Sequence, residues 1–202
     1  VRFCLHMLTK RREDRLLFEN QRNIAKLFGF KGKDNKGIED FMKMYFKTIR
    51  EINRLNEILL QHLREEIIYK KRKEKIIKIN SRFQKRNNLI EVTNKNIFKK
   101  YPYSLFEIFL LLQQDPSIVA IRASTIRLIR EYLYLIDDDF RDNLINKSLF
   151  LEIIKQPNLV GHKLRLMHKY GILGAYMPSF SKIEGLMQFD LFHIFTVDEH
   201  TL

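Results

Sequence analysis

From Ile38 to Leu63 the apolar residues Ile38, Phe41, Tyr45, Ile49, Ile52, Leu55, Leu59 and Leu63 recur at intervals of three and four, with no glycine or proline among them. That interval matches the α-helical turn, so the stretch predicts one long amphipathic helix whose charged residues occupy the opposite, solvent-facing side. A helix with such a stripe has to bury it against other elements, which points the whole chain towards a helical bundle. With 202 residues, 45% of them apolar and 12% aromatic, the chain can build a sizeable core. Disordered and collagen-like classes are excluded on the same ground.

The flanking segments mostly follow the same period. Phe3, Leu5, Leu8, Arg12, Leu16 and the run from Phe18 predict a helix that ends near Phe28, where Gly29 and the glycine- and lysine-rich residues 31–37 stop it. Between Ile76 and Val92 the period is lost. Ile79, Phe83, Leu89, Ile90 and Val92 alternate loosely around Arg86-Asn87-Asn88, and asparagine tolerates a positive φ, so a small β-hairpin is expected. Ser104 is the expected N-cap of a helix over 105–112, which is apolar on almost every side and so belongs inside the bundle.

Ser124 should open a further helix carrying Ile126, Ile129, Leu133 and Ile136, with Asp137-Asp138-Asp139 as a capping link to the next. Asn158 should cap a helix that stops at Gly171, and residues 171–185 read as loop with a turn. The expected fold is mainly α, a helical bundle with one small β-hairpin.

The net charge is +13, and most of the excess lies between Lys70 and Lys100, where twelve Lys and Arg face only Glu74 and Glu91. Such a run can be a phosphate or RNA footprint, or a solvated surface. Only Tyr69, Phe83 and Phe98 are interleaved with it, too few for a base-stacking platform, so nucleic acid is the secondary reading. Cys4 is the single cysteine, which excludes a disulfide framework and multi-cysteine metal sites and suits a reducing, cytoplasmic setting. No apolar run approaches the roughly 20 residues that cross a bilayer, so no membrane span is expected. The opening residues from Val1 to Leu8 have neither an initiator methionine nor the features of a signal peptide, and read as an internal stretch of a longer protein.

Palm-type nucleotidyl transfer uses a Gly-Ser turn for the triphosphate and two nearby aspartates for the metal. The chain has no Gly-Ser dipeptide, and Asp137 and Asp139, though spaced as Asp-x-Asp, sit in a capping link. Nor is there a Walker loop, a dinucleotide fingerprint or a nucleophile elbow. A His-Asp metallophosphohydrolase needs a first histidine and a later His-Asp pair, since imidazole and carboxylate together hold the ion that activates water. None of the six histidines precedes an aspartate, so His200 could only be the opening ligand of such a set, and by spacing alone a lone histidine near a helix start is ordinarily a surface or core side chain.

Four separated strings carry a family resemblance: Arg11 to Phe18, Arg54 to Gln61, Phe109 to Gln114 with Ile121 to Thr125, and Leu186 to Leu202. In that order they resemble the bifunctional uridylyltransferase/uridylyl-removing enzymes of the PII signal protein, over nearly the whole chain. The resemblance implies that 1–188 is the helical domain following a nucleotidyltransferase domain and that 189–202 begins an HD domain. It implies enzymes that transfer UMP from UTP to PII when glutamine is scarce, and hydrolyse it off when glutamine is plentiful.

The family requires Mg2+ or Mn2+. For this stretch alone the expectation is no catalytic residue, no bound cofactor and no activity. His200 matches the first HD metal ligand. Arg12 and Arg15, with Arg11 and Asp14 beside them on a helix, are the candidates for lining a nucleotide cleft, because a planar guanidinium pairs with phosphate oxygens. A glutamine synthetase adenylyltransferase and a basic helical nucleic-acid-binding module are the alternatives.

Overall fold

The computed structural model describes residues 1–69, 75–157, 160–187, 189 and 195–202. It is mainly α-helical with a small four-stranded sheet, and it divides into two compact units, Val1–Glu51 with Lys182–Leu202, and Ile52–Ser181.

The first unit holds α1 (Arg2–Thr9), α2 (Phe18–Leu27), the first part of α3 (Lys36–Arg64) and the short α12 (Val197–Thr201). The single helix expected up to Phe28 is two. Lys10 takes a left-handed conformation (φ 52°) that ends α1, and residues 10–17 run as an irregular link before α2. The apolar period carries no sign of this break, because the cause is polar: the Glu13 carboxylate accepts the Arg15 backbone N–H and guanidinium, which holds a turn. Leu5, Ile24, Ala25, Ile38, Phe41, Met42 and Met187 form this unit's buried core. Asp198 of α12 is fully buried, and its two carboxylate oxygens accept from the Arg50 guanidinium and, at 3.0 Å, from the Gly185 backbone N–H.

The second unit begins with the rest of α3, which is helical over the expected span but not packed along the whole expected stripe. Ile52, Leu55, Leu59 and Leu63 are each about half exposed, whereas Arg54 on another face is buried. In the first unit the stripe is buried at Ile38 and Phe41, whereas in the second the buried position on α3 is Arg54.

The expected hairpin is present, with Asn87 and Asn88 both at positive φ (49° and 68°) in the turn between β2 (Phe83–Arg86) and β3 (Leu89–Val92). It is part of something larger than one hairpin. β1 (Ile76–Lys78) pairs antiparallel with β2, and β4 (Ala120–Ile121) adds parallel to β3. Two residues of strand leave almost no alternation to detect, so β4 is invisible to a pattern search.

After the hairpin come α4 (Ile97–Lys100) and α5 (Ser104–Gln114), and Leu105, Phe106, Ile108 and Phe109 of α5 are fully buried as expected of an interior helix. Ser104 does not cap α5. It is the first helical residue, and its hydroxyl donates to the Tyr101 carbonyl at 2.5 Å.

α6 (Ala123–Glu131) is shorter than its period suggests, with a 3-10 turn over Leu133–Leu135. Asp137 caps α7 (Asp138–Asp142) by accepting the Phe140 N–H at 2.9 Å, so the acidic link is structural. Asn143 caps α8 (Leu144–Lys155) in the same way. α9 (Val160–Lys169) ends as Gly171 adopts φ 85°, where an added Cβ would stand 3.0 Å from Leu133; the expected Asn158 cap lies outside the described residues. The loop expected over 171–185 is instead α10 (Ile172–Tyr176) and α11 (Pro178–Ile183), the second opened by a proline at its first position. Tyr176 closes an aromatic cluster, edge-on to Phe106 at 4.8 Å and next to Phe140 and Phe150.

Candidate functional site

Arg12 and Arg15 are not on a helix as expected; both belong to the irregular link of the first unit. Arg12 is largely exposed and lies 3.7 Å from Asp14, while Arg15 lies 3.1 Å from Glu13. They share a segment but attend to different carboxylates. Asp14 is the hub of its own group, accepting Arg2 at 2.7 Å and facing the His6 imidazole at 2.9 Å. Those hydrogen bonds hold its carboxyl below the usual aspartate range, and the Arg15 bonds do the same for Glu13.

His200 is exposed on α12, next to the Phe195 ring at 6.5 Å. Among the described residues, no group of three His, Cys, Asp or Glu side chains able to converge on an ion includes it. Its neighbour Asp198, the aspartate closest in sequence, is already engaged by Arg50 and Gly185. The described residues therefore do not make a metal centre around His200.

Where it is described, the basic run is matched only in part, at Arg82, Lys85 and Arg86. Arg82 makes a two-pronged pair with Glu107 at 2.6 Å on both arms, Lys85 reaches Asp115 at 3.1 Å, and Arg86 reaches Glu91 at 2.8 Å. Lys75, Lys78, Lys95, Lys99 and Lys100 remain exposed, but few rings lie among them for base stacking, and the nucleic-acid alternative is not favoured.

Two arrangements in the second unit escaped sequence reasoning. The first is a buried ion network at the sheet. Arg122 donates to Glu91 at 2.7 Å and to Glu65 at 3.2 Å, and Glu65 also accepts the backbone N–H of Ala123 at the start of α6, 2.9 Å away. Burial alone would push the Glu91 carboxyl up, but donation from Gln84, Arg122 and Arg86 outweighs it and the net shift is downward.

The second is a cavity of about 510 Å³ walled by α3 and α9 over an apolar floor that includes Leu112 and Ile121. Arg54, Glu57, Gln61 and Arg64 line it from α3, and His162, Lys163, Lys169 and Tyr170 from α9 and the residue after it. Lys169 is paired with Glu57. Lys163 is only 6% exposed and makes no hydrogen bond or ion pair among the described residues, and its burial lowers its pKa. Arg54, Glu57, Gln61 and Arg64 recur at three, four and three, a helical stripe legible in the sequence but read there as the solvent side.

This is a mainly helical unit with a small sheet, and a family model described as the third domain of uridylyltransferase GlnD matches residues 83–176 of it. A second, described as GlnD PII-uridylyltransferase, matches residues 1–60. The bifunctional uridylyltransferase/uridylyl-removing enzymes of Nitrosococcus oceani and Pseudomonas aeruginosa are 52% and 50% identical over 203 residues, and that of Hydrogenovibrio crunogenus 50% over 208. Each alignment covers all of this chain, which spans 23% of the length of these relatives. No solved structure matches. The chain belongs to the bifunctional uridylyltransferase/uridylyl-removing enzyme family.

Proposed function

We propose that this chain is the helical region of a cytoplasmic enzyme that attaches UMP from UTP to the PII signal protein and removes it again in response to glutamine. The observation that carries this reading is similarity at about half of all positions along the whole chain to enzymes bearing both activities in their name. The relatives are some four times longer than the alignment, so the groups that make and break the phosphodiester belong to the remaining length. So does the dependence on Mg2+ or Mn2+, to which His200 contributes one ligand in this reading.

What this region's own residues do is position. Arg12 and Arg15 present guanidinium groups to solvent from a link held by Glu13 and Asp14, and such groups suit the oxygens of a triphosphate. The test is a chimera in which this chain replaces the equivalent segment of the Pseudomonas aeruginosa enzyme. A folded chimera should both uridylylate PII with UTP and release UMP from the modified protein. A chimera that folds and does neither overturns the reading.

A further inference from the structure

The helix that carries His200, α12, is five residues long, and Asp198 is its one buried residue. A helix so short does not hold its own shape in water, so its direction is set by what it is fastened to. The fastening lies within the first unit. The Arg50 guanidinium, from the part of α3 that belongs to this unit, donates to one Asp198 oxygen and lies 3.9 Å from Glu184. The Gly185 backbone N–H donates to the other Asp198 oxygen at 3.0 Å. The neighbouring backbone is tied down as well. The Val197 N–H meets the Leu186 carbonyl at 2.8 Å, and Lys43 of α3 donates to the Lys182 carbonyl at 2.7 Å. Gly185 takes φ 68°, where an added Cβ would stand 3.1 Å from the Lys43 carbonyl oxygen.

A leucine at position 198 could attach α12 to a core without taking a carboxylate out of water, which opposes folding. What an aspartate adds is direction. Two oxygens held by donors from two elements fix the rotation of the helix about its axis, whereas apolar burial is indifferent to it. Residue 200 stands about 200° further round that axis than residue 198. A carboxylate drawn inward therefore turns the imidazole outward, and His200 is exposed. We propose, on the reading of His200 given above, that Arg50 and Asp198 are positioning residues for the removal of UMP, their pair aiming His200 with the help of the Gly185 N–H.

Two measurements test this. In the chain itself, hydrogen exchange followed by mass spectrometry reports the His200 amide, which donates to the Thr196 carbonyl at 3.0 Å. Exchange over 196–202 should be about tenfold faster or more in Arg50→Met, as α12 opens without its anchor. In the chimera with the Pseudomonas aeruginosa enzyme, the same variant should lower kcat for UMP release by about ten- to a hundredfold, the scale of a small misplacement of a reacting group. KM for modified PII and the transfer of UMP from UTP should stay as they were. Arg50→Lys, which keeps the charge but not the planar fork, should recover part of the lost rate.

Should Arg50→Met fail to fold, Asp198→Asn, of the same shape and still able to accept from Gly185, takes its place with the same expectations. UMP release at the unaltered rate in a folded variant overturns the proposal. So does a fall in release with exchange unchanged, or an equal loss of both reactions, the mark of a merely structural role. An unaltered chimera that transfers UMP but cannot release it overturns the reading of His200 instead, and exchange still decides whether the pair holds α12.

Discussion

The link between α1 and α2 and the sheet at Glu91 use the same chemistry, arginine on carboxylate at about 3 Å, in opposite settings. At the link, Arg15 meets Glu13 two positions away, and its side chain is 74% exposed. At the sheet, Arg122 meets Glu91 and Glu65, 31 and 57 positions away, and both carboxylates are buried. In the first, water competes for each charge and the pair holds little more than a turn. In the second, removing one partner leaves another charge where water cannot reach it, so the pairs lock the geometry of the elements that carry them.

The sharpest way to break this contrast is Arg122→Ala, which takes from buried Glu65 its one cation among the described residues and from Glu91 one of its two. It should destabilise the chain by about 3–5 kcal/mol in urea denaturation. A loss under about 1 kcal/mol would put the network on a par with a surface pair. A subtler test is acid.

The Glu91 carboxyl is held below its ordinary value near 4.5 in the folded chain, so the unfolded chain takes up that proton first. Its contribution is complete above that ordinary value and drains away as pH falls through the lower folded one. Stability should therefore decline more steeply below about pH 4.5 in the native chain than in Glu91→Gln, as followed by urea midpoints at a series of pH values. The smallest effect should come from Arg15→Ala, whose melting temperature should match that of the native chain. A clear drop would mean that the link is held more firmly than its exposure implies.

The same contrast explains what could be read from the residues alone. Periodicity located α3, an almost unbroken apolar run located α5, and the asparagine pair located the hairpin turn, because each of these depends on neighbours within a few positions. The acidic cap at Asp137 was legible for the same reason. The break at Lys10, the Glu65 carboxylate at the head of α6 and the partner of Arg122 were not, since they are set by side chains meeting across tens of residues or by a local polar turn that hydrophobic spacing ignores.

The cavity between α3 and α9 falls between these cases. Its α3 stripe is periodic and visible, but a polar stripe means solvent until a second wall is known to face it, and that wall comes from α9, some hundred residues later. His162 and Lys163 carry no local mark that separates them from ordinary surface residues.

The parallel strand β4 has a consequence for the order in which the second unit assembles. The turn at Asn87-Asn88 lets β2 and β3 zip together on the microsecond scale, since their residues are close in the chain. Ala120 and Ile121 can reach Leu89 and Ile90 only after the intervening stretch, with α4 and α5 inside it, has folded back on itself. A two-residue strand offers too few hydrogen bonds to drive that closure unaided. Docking of α5 should therefore precede the pairing of β4, with the sheet edge as the latch that closes behind it.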